Sequence, residues 1–206
     1  METSSEKPRT RELAHDKAIL DVALAALERD GEAKLRVMDI AQAVGCSVGL
    51  LYHHYGDREG LIEAARIQQF KGLLDRDLRT IDAAVEACPS VDEFRRQVVS
   101  LSRLVTGPER LERRRQRVVV LGAAMQRPAL REAIGRVQSE WTTAFQDTLK
   151  KAQAKGFLRP DLDARAVAVF VQAYTLGRVL SDIDPDAPIP DETWAELSLK
   201  FLLQLT

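Results

Sequence analysis

A chain of 206 residues, 45% hydrophobic and 30% charged, has room for a substantial core and too much apolar content for a disordered polymer. Lys and Arg number 30 against 31 Asp and Glu, a formal net charge of −1, so bulk charge announces no nucleic-acid partner. The longest apolar run, residues 118–125, is far short of the ~20 residues a membrane helix needs, two cysteines cannot make a disulfide framework, and the polar start METSSEKPRTRE lacks the apolar centre of a secretory signal, so a cytoplasmic protein with no membrane partner is expected.

Residues 1–12 read as a flexible tail whose Lys7, Arg9 and Arg11 can reach phosphates or a minor groove. Beyond it almost every segment has helical period and no stretch alternates convincingly, which makes the fold class all-α with about nine helices. Leu13, Ile19, Leu20, Ala23, Leu24 and Leu27 form one broad stripe, and Asp30-Gly31 ends the first helix. Ile40 and Val44 pair at i, i+4 on a second helix of about two turns that halts at Gly45. After a sharp turn Ser47 stands in N-cap position for a short third helix over 48–54. Asp57 caps a longer fourth, in which Leu61, Ala65, Phe70, Leu73, Leu74 and Leu78 recur at three-to-four spacing.

Ser90-Val91-Asp92-Glu93 is a capping box that starts the fifth helix, and Pro108 and Pro128 suit the first turns of the sixth and seventh. The run from Arg110 to Arg117 holds five arginines and one glutamate. An amphipathic sixth helix turns Leu111 and Val118 inward and leaves the arginines solvated or paired with acids of the first and fourth helices. Leu130, Ile134, Val137, Trp141, Phe145, Leu149 and Ala152 run down one face of the seventh helix until Gly156 stops it. The eighth, after Asp163, reads AVAVFVQAYTLGRVL and is apolar on nearly all sides, as expected for burial inside the subunit and against a second copy. Asp191 caps a ninth, with Trp194, Leu197, Phe201, Leu202 and Leu205 as its stripe. A domain boundary is expected within the fourth helix, giving a helix-turn-helix domain over 13–60 and a helical domain over 61–206.

Helix, glycine-containing turn and short helix is the pattern that carries a recognition helix into the major groove of DNA. The Ser47-capped N-terminus of the third helix offers backbone N–H groups and a positive dipole end to a phosphate. Tyr52 and His54 add hydrogen-bond donors, and Arg58 is placed to reach the same strand. Against a DNA partner, residues 1–60 hold eight Lys or Arg and eleven Asp or Glu, so binding must rest on placed donors. His53 and His54 point about 100° apart on a helix and have no third ligand nearby, so no metal site is expected, nor any cofactor. No phosphate loop and no nucleophile paired with a base is present, which argues against an enzyme and gives no catalytic residue. Trp141, Phe145, Phe170 and Tyr174 are candidates to line a small-molecule cavity, with Gln138, Gln172 and the Tyr174 hydroxyl orienting a mainly apolar effector.

The stretch LRVMDIAQAVGCSVGLLYHHYGDREGLI, residues 35–62, resembles the DNA-binding motif of the tetracycline-repressor (TetR) family. The likeness is close over residues 13–62; beyond them it rests on length, helix number and the junction GFLRPDLD at 156–163. It implies that Ser47, Tyr52, His54 and Arg58 hold the DNA backbone while Val48, Gly49, Leu50 and His53 face bases, over a core of Leu35, Ile40, Ala41, Val44, Leu51, Tyr55 and Leu61. It implies further a transcriptional regulator, a homodimeric repressor paired through its eighth and ninth helices and released from a palindromic double-stranded DNA operator by a small molecule. Three positions depart from the family pattern. Arg36 replaces a capping Thr and trades a cap for a stronger phosphate contact, Met38 stands where a polar residue is common, and Cys46 stands where Val is usual. An interaction module that kept this fold and lost DNA binding is the alternative the acidic balance leaves open, ahead of a helical enzyme.

Overall fold

The computed structural model describes residues 6–106, 110–186 and 189–204, with the side chains of 6–14, 76 and 101–106 excepted. Among the described residues all regular structure is helical: α1 (Glu6–Asp30), α2 (Val37–Val44), α3 (Val48–Tyr55), α4 (Arg58–Ala87), α5 (Val91–Thr106), α6 (Leu111–Gln126), α7 (Pro128–Ala154), α8 (Ala164–Gly177), a four-residue turn α9 (Val179–Asp182) and α10 (Asp191–Leu203), with a short 3-10 turn at Glu32–Lys34. The helix expected after Asp191 is therefore α10, and α9 went unread because four residues carry no period. Among the described residues no helix is long and apolar enough to cross a membrane.

The first helix begins at Glu6, inside the stretch read as a tail, and Pro8 falls in its first turn, where a missing N–H costs no hydrogen bond. The side chains of Lys7, Arg9 and Arg11 lie outside those described, as does Pro108.

The chain divides into two compact units, Met1–Phe70 and Lys71–Thr206, with the division inside α4. In the first, Ile19, Ala23 and Leu27 of α1 meet Leu35, Val37, Ile40, Ala41, Leu51, Leu61, Ile62 and Ala65 in one buried cluster. A polar seam crosses its edge. Arg66, 6% exposed, donates to Gln69 Oε1 at 3.1 Å, Gln69 donates to Glu28 at 2.9 Å, and the Glu32 carboxylate lies 3.6 Å from the Arg66 guanidinium. A buried charge needs both a counter-charge and hydrogen bonds, and here Glu32 supplies the first and the Gln69 amide oxygen the second, while Arg66 Nε stays without a partner.

In the second unit α7 is the spine, with Leu130, Ile134, Trp141, Phe145, Leu149 and Ala152 all buried along one face. It packs against α6 and α8, while α10 packs against α5. Gly156, at φ 73°, ends it: Phe157 N–H reaches the Ala152 carbonyl and Gly156 N–H that of Gln153, both at 2.9 Å. Lys155 then donates to the Val85 and Glu86 carbonyls, satisfying the C-terminal end of α4. One turn back, Thr148 and Lys151 donate to Asp82 at 2.7 and 3.0 Å and hold its carboxyl below the usual range.

The register read for α6 needs correcting. Its inner face carries Arg114, Val120 and Ala124, while Val118 and Val119 are exposed. Arg114 is drawn inward by Asp182 of α9, which accepts from its Nε at 2.7 Å and from its terminal nitrogen at 3.0 Å. Arg110 and Arg113 pair with Asp77 of α4, so part of the arginine run is paired as expected and its most buried member is paired with an element that sequence did not disclose.

Candidate nucleic-acid interface

The turn between α2 and α3 is set by backbone chemistry. Gly45 adopts φ 75°, ψ 35°, a left-handed conformation that side-chain-bearing residues avoid, and it lets Cys46 N–H reach the Ala41 carbonyl at 2.9 Å while Gly45 N–H reaches that of Gln42 at 3.2 Å. The chain leaves α2 sharply and Ser47 Oγ at once accepts from Leu50 N–H at 3.1 Å, which starts α3. Leu51, 1% exposed, anchors α3 into the core, and Tyr55 packs beside it. Burial of the Tyr55 ring leaves its hydroxyl without a hydrogen-bond partner and, with Asp16 and Cys46 adding to the effect, pushes its pKa up to about 12.

The opposite side of α3 is open. Ser47, Gly49, Tyr52, His53 and His54 are exposed, and Leu50 is half-buried. Val48 is half-buried and packs against the core cluster. The His53 and His54 rings meet edge to face at 5.7 Å, and His54 Nδ1 lies 3.7 Å from an Asp16 carboxylate oxygen. Arg36 is exposed at the N-cap of α2 and makes no side-chain cap, as its chemistry requires, and Met38 beside it is 72% exposed. Cys46 is a free thiol, half-buried at the margin of the core.

Arg58 is the residue whose placement differs most from expectation. Its Nε donates to the Leu35 carbonyl at 3.1 Å, one terminal nitrogen to that of Glu32, and the other meets the Glu59 carboxylate. The guanidinium is thus folded onto the loop that leads into α2, where it bonds the Leu35 carbonyl and shares that of Glu32 with the Leu35 N–H. Sequence spacing missed this role because Leu35 and Arg58 are brought together only by the packing of α4. Gly60 is a second residue that went unread: Asp57 Oδ1 accepts its N–H at 2.8 Å, and the Tyr55 carbonyl lies where a side chain would begin.

The expected effector residues fall into two groups in the second unit. Trp141 and Phe145 are buried with ring centroids 5.2 Å apart, and the indole N–H donates to the Leu74 carbonyl at 2.9 Å. Gln138 donates to Gln172 and, at 3.1 Å, to Thr142, while Gln172 donates to Thr142 at 3.2 Å and to the Ala168 carbonyl at 3.0 Å. Thr142, one turn from Gln138, completes this seam between α7 and α8; its spacing was visible, its function as the shared acceptor was not. Phe170 and Tyr174 pair at 5.9 Å on another part of α8, and Phe170 is 50% exposed, so it does not join the buried group. Burial pushes the Tyr174 hydroxyl up to about 12.

Known proteins resemble the chain in both units. The family model of the bacterial regulatory proteins of the tetR family matches residues 19–65, and that of a tetracyclin repressor-like C-terminal domain matches 122–183, together more than half the chain. The HTH-type transcriptional regulator UidR of Escherichia coli K12 is 24% identical over 196 residues, covering 95% of this chain and 91% of UidR. A TetR-family transcriptional regulator of known structure from Rhodococcus sp. is 28% identical with a TM-score of 0.65, over 93% of this chain and 97% of that one. Salmonella enterica GusR shares the fold at a TM-score of 0.63 and 23% identity, over 94% and 95% of the two chains. These matches are to regulators, over the turn that Gly45 and Ser47 build and over the helices around α7: the chain belongs to the TetR family of DNA-binding transcriptional regulators.

Proposed function

We propose that the chain is a homodimeric repressor that holds a palindromic operator with two copies of α3 and is released by a small effector in its second unit. The observation that carries the reading is the two-sidedness of α3, fixed inward by Leu51 and open outward through Gly49, Tyr52 and His53 behind a capped N-terminus. Ser47, Tyr52, His54 and Arg36 hold phosphates, and Gly49, Leu50 and His53 meet base edges, with a Val48 methyl at their margin. Arg58 acts mainly by holding the loop before α2. The first unit carries no general positive field, so these few donors must supply the affinity.

The dimer forms through α8 and α10, whose Val169, Phe170, Leu197 and Phe201 are exposed in the single chain. The effector occupies the interior around Trp141, Phe145, Gln138, Gln172 and Tyr174. By preferring a conformation that does not fit the operator, it shifts the population; a coupling of ~1–3 kcal/mol weakens binding severalfold to about a hundredfold.

Selection of bound DNA from a random pool by the full chain, at two salt concentrations, tests the reading. Enrichment of a palindrome whose binding falls steeply with salt is expected. An absence of any enriched motif overturns it and leaves the interaction module, which the acid excess of residues 1–60 favours.

A further inference from the structure

Arg110, Arg113 and Arg117 recur at three- and four-residue spacing on the side of α6 that meets α4. One carboxylate serves them: Asp77 pairs with Arg110 and, at 3.2 Å, with Arg113, which also donates to the Leu73 carbonyl. Arg117, one turn further on, has a buried Nε with no hydrogen-bond partner, and among the described residues its guanidinium makes no hydrogen bond or ion pair. Burial pushes its pKa down, while Asp77 pulls the other way and Arg113 adds to the fall. Arg114 on the same helix is the contrast, since it is buried against a carboxylate that binds it with two nitrogens. Arg117 is half-buried, with its Nε withdrawn from water and given no hydrogen-bond partner; a chain that supplies Asp182 for one arginine leaves the other with an opening for an anion from outside.

The apolar part of such a site is anchored on the same turn of α4 as Arg113. Trp141 donates to the Leu74 carbonyl and Arg113 to that of Leu73, so α6 and α7 both hold the turn of α4 from Leu73 to Asp77, and the Trp141 indole lies against Phe145 there. We propose that Arg117 is the anion-receiving residue of the effector site, and that the effector is a small amphipathic organic acid with its charged group on Arg117 and its apolar body against Trp141 and Phe145. This rests on the effector-released reading above and sharpens it, because a mainly apolar molecule alone leaves Arg117 unanswered. The planar guanidinium fork suits a carboxylate and a sulfonate alike.

Two fluorescent probes of nearly the same body test it on the full chain: anilinonaphthalene sulfonate, an amphipathic anion, and phenylnaphthylamine, its neutral counterpart. Wild type is expected to bind the anion saturably and more tightly than the neutral probe. Arg117→Leu should weaken the anion about tenfold or more and leave the neutral probe within about twofold. Octanoate should displace the anion at concentrations about tenfold or more below those octanol needs, a comparison that needs no variant. Arg117→Gln serves in the same way if the leucine variant does not fold. Unsaturable anion binding, equal loss of both probes, or unchanged anion affinity in the variants overturns the proposal. Operator binding measured alongside separates the two readings. Anion binding that leaves operator affinity unchanged sinks effector release alone, whereas anion selectivity that is absent in wild type or kept in the variants, with operator recognition intact, sinks the role of Arg117 alone.

Discussion

Gly49 and Gly60 lie eleven positions apart and answer different demands. A Cβ at Gly60 would collide with the Tyr55 carbonyl oxygen and lie 3.2 Å from its carbon, so the α3–α4 turn must deform; one at Gly49 would meet only Ser47 Oγ at 3.8 Å. Gly60→Ala is expected to cost about 1–3 kcal/mol in urea unfolding, as overpacking against backbone does. Gly49→Ala is expected to raise stability by up to about 1 kcal/mol through helix propensity while lowering operator affinity, because the side chain takes the place where α3 meets bases. Equal operator affinity in Gly49→Ala would remove that residue from the interface. Tyr55 gives a prediction in pH. Its folded pKa, about 12, stands above the ordinary 10.0, so the fold favours the neutral phenol: the contribution is complete below pH ~10 and is lost as pH rises towards about 12. Tyr55→Phe, which also removes a buried hydroxyl without a partner, should flatten the stability curve between those limits, and an ultraviolet titration of the native chain should show one phenol ionising late for each tyrosine so buried.

At the scale of elements, helix ends were the readable part of the sequence. Ser47, Asp57, Ser90 and Asp163 each accept the backbone N–H groups that their positions promised, and Gly45 and Gly156 end helices in the left-handed conformation. Caps are read well because both partners lie within three or four residues. Asp191 is an exception: it opens α10 without capping it and binds Arg178 at 2.8 Å instead. The inner face of α6 was unreadable for the converse reason. Arg114 is buried only because Asp182, 68 residues on, meets it, and a binary pattern assigns any arginine to the surface. The pair predicts an asymmetry. Asp182→Ala should destabilise by about 3–5 kcal/mol by leaving a buried charge unpaired, whereas Arg114→Leu with Asp182→Leu should come out near neutral, both read in chemical denaturation. If the single and double variants lose the same amount, the pair is not buried in solution as it is here.

At the scale of the molecule, sequence disclosed the all-α class and the helix-turn-helix from periodicity and turn chemistry, and left open which faces of the second unit meet a partner. Period shows that a face is apolar; it does not show whether that face is covered by the same chain. The structure separates these cases on α8. Ala164, Ala168 and Gln172 are buried, while Val169 and Phe170 stay half-exposed. On α10, Ala195 and Ser198 are buried while Leu197 and Phe201 are 52% and 58% exposed. Arg178, just after α8, binds Asp191 and stacks on the Trp194 ring at 5.2 Å, so the start of α10 is tied to the end of α8. Large exposed side chains on two helices linked in this way are what a four-helix dimer interface requires of each copy. Phe201→Glu and Phe170→Glu place a charge where the pairing would desolvate it, and each is expected to raise the dimer dissociation constant by about thirtyfold or more. Helical content should not change, since neither side chain contributes to the buried core of the single chain. Light scattering should report a monomer at concentrations where wild type is a dimer, and operator affinity should fall by about tenfold or more as binding of the second half-site ceases to be intramolecular. A wild-type chain that is monomeric across that range would overturn the dimer, and variants that remain dimeric would place the interface elsewhere.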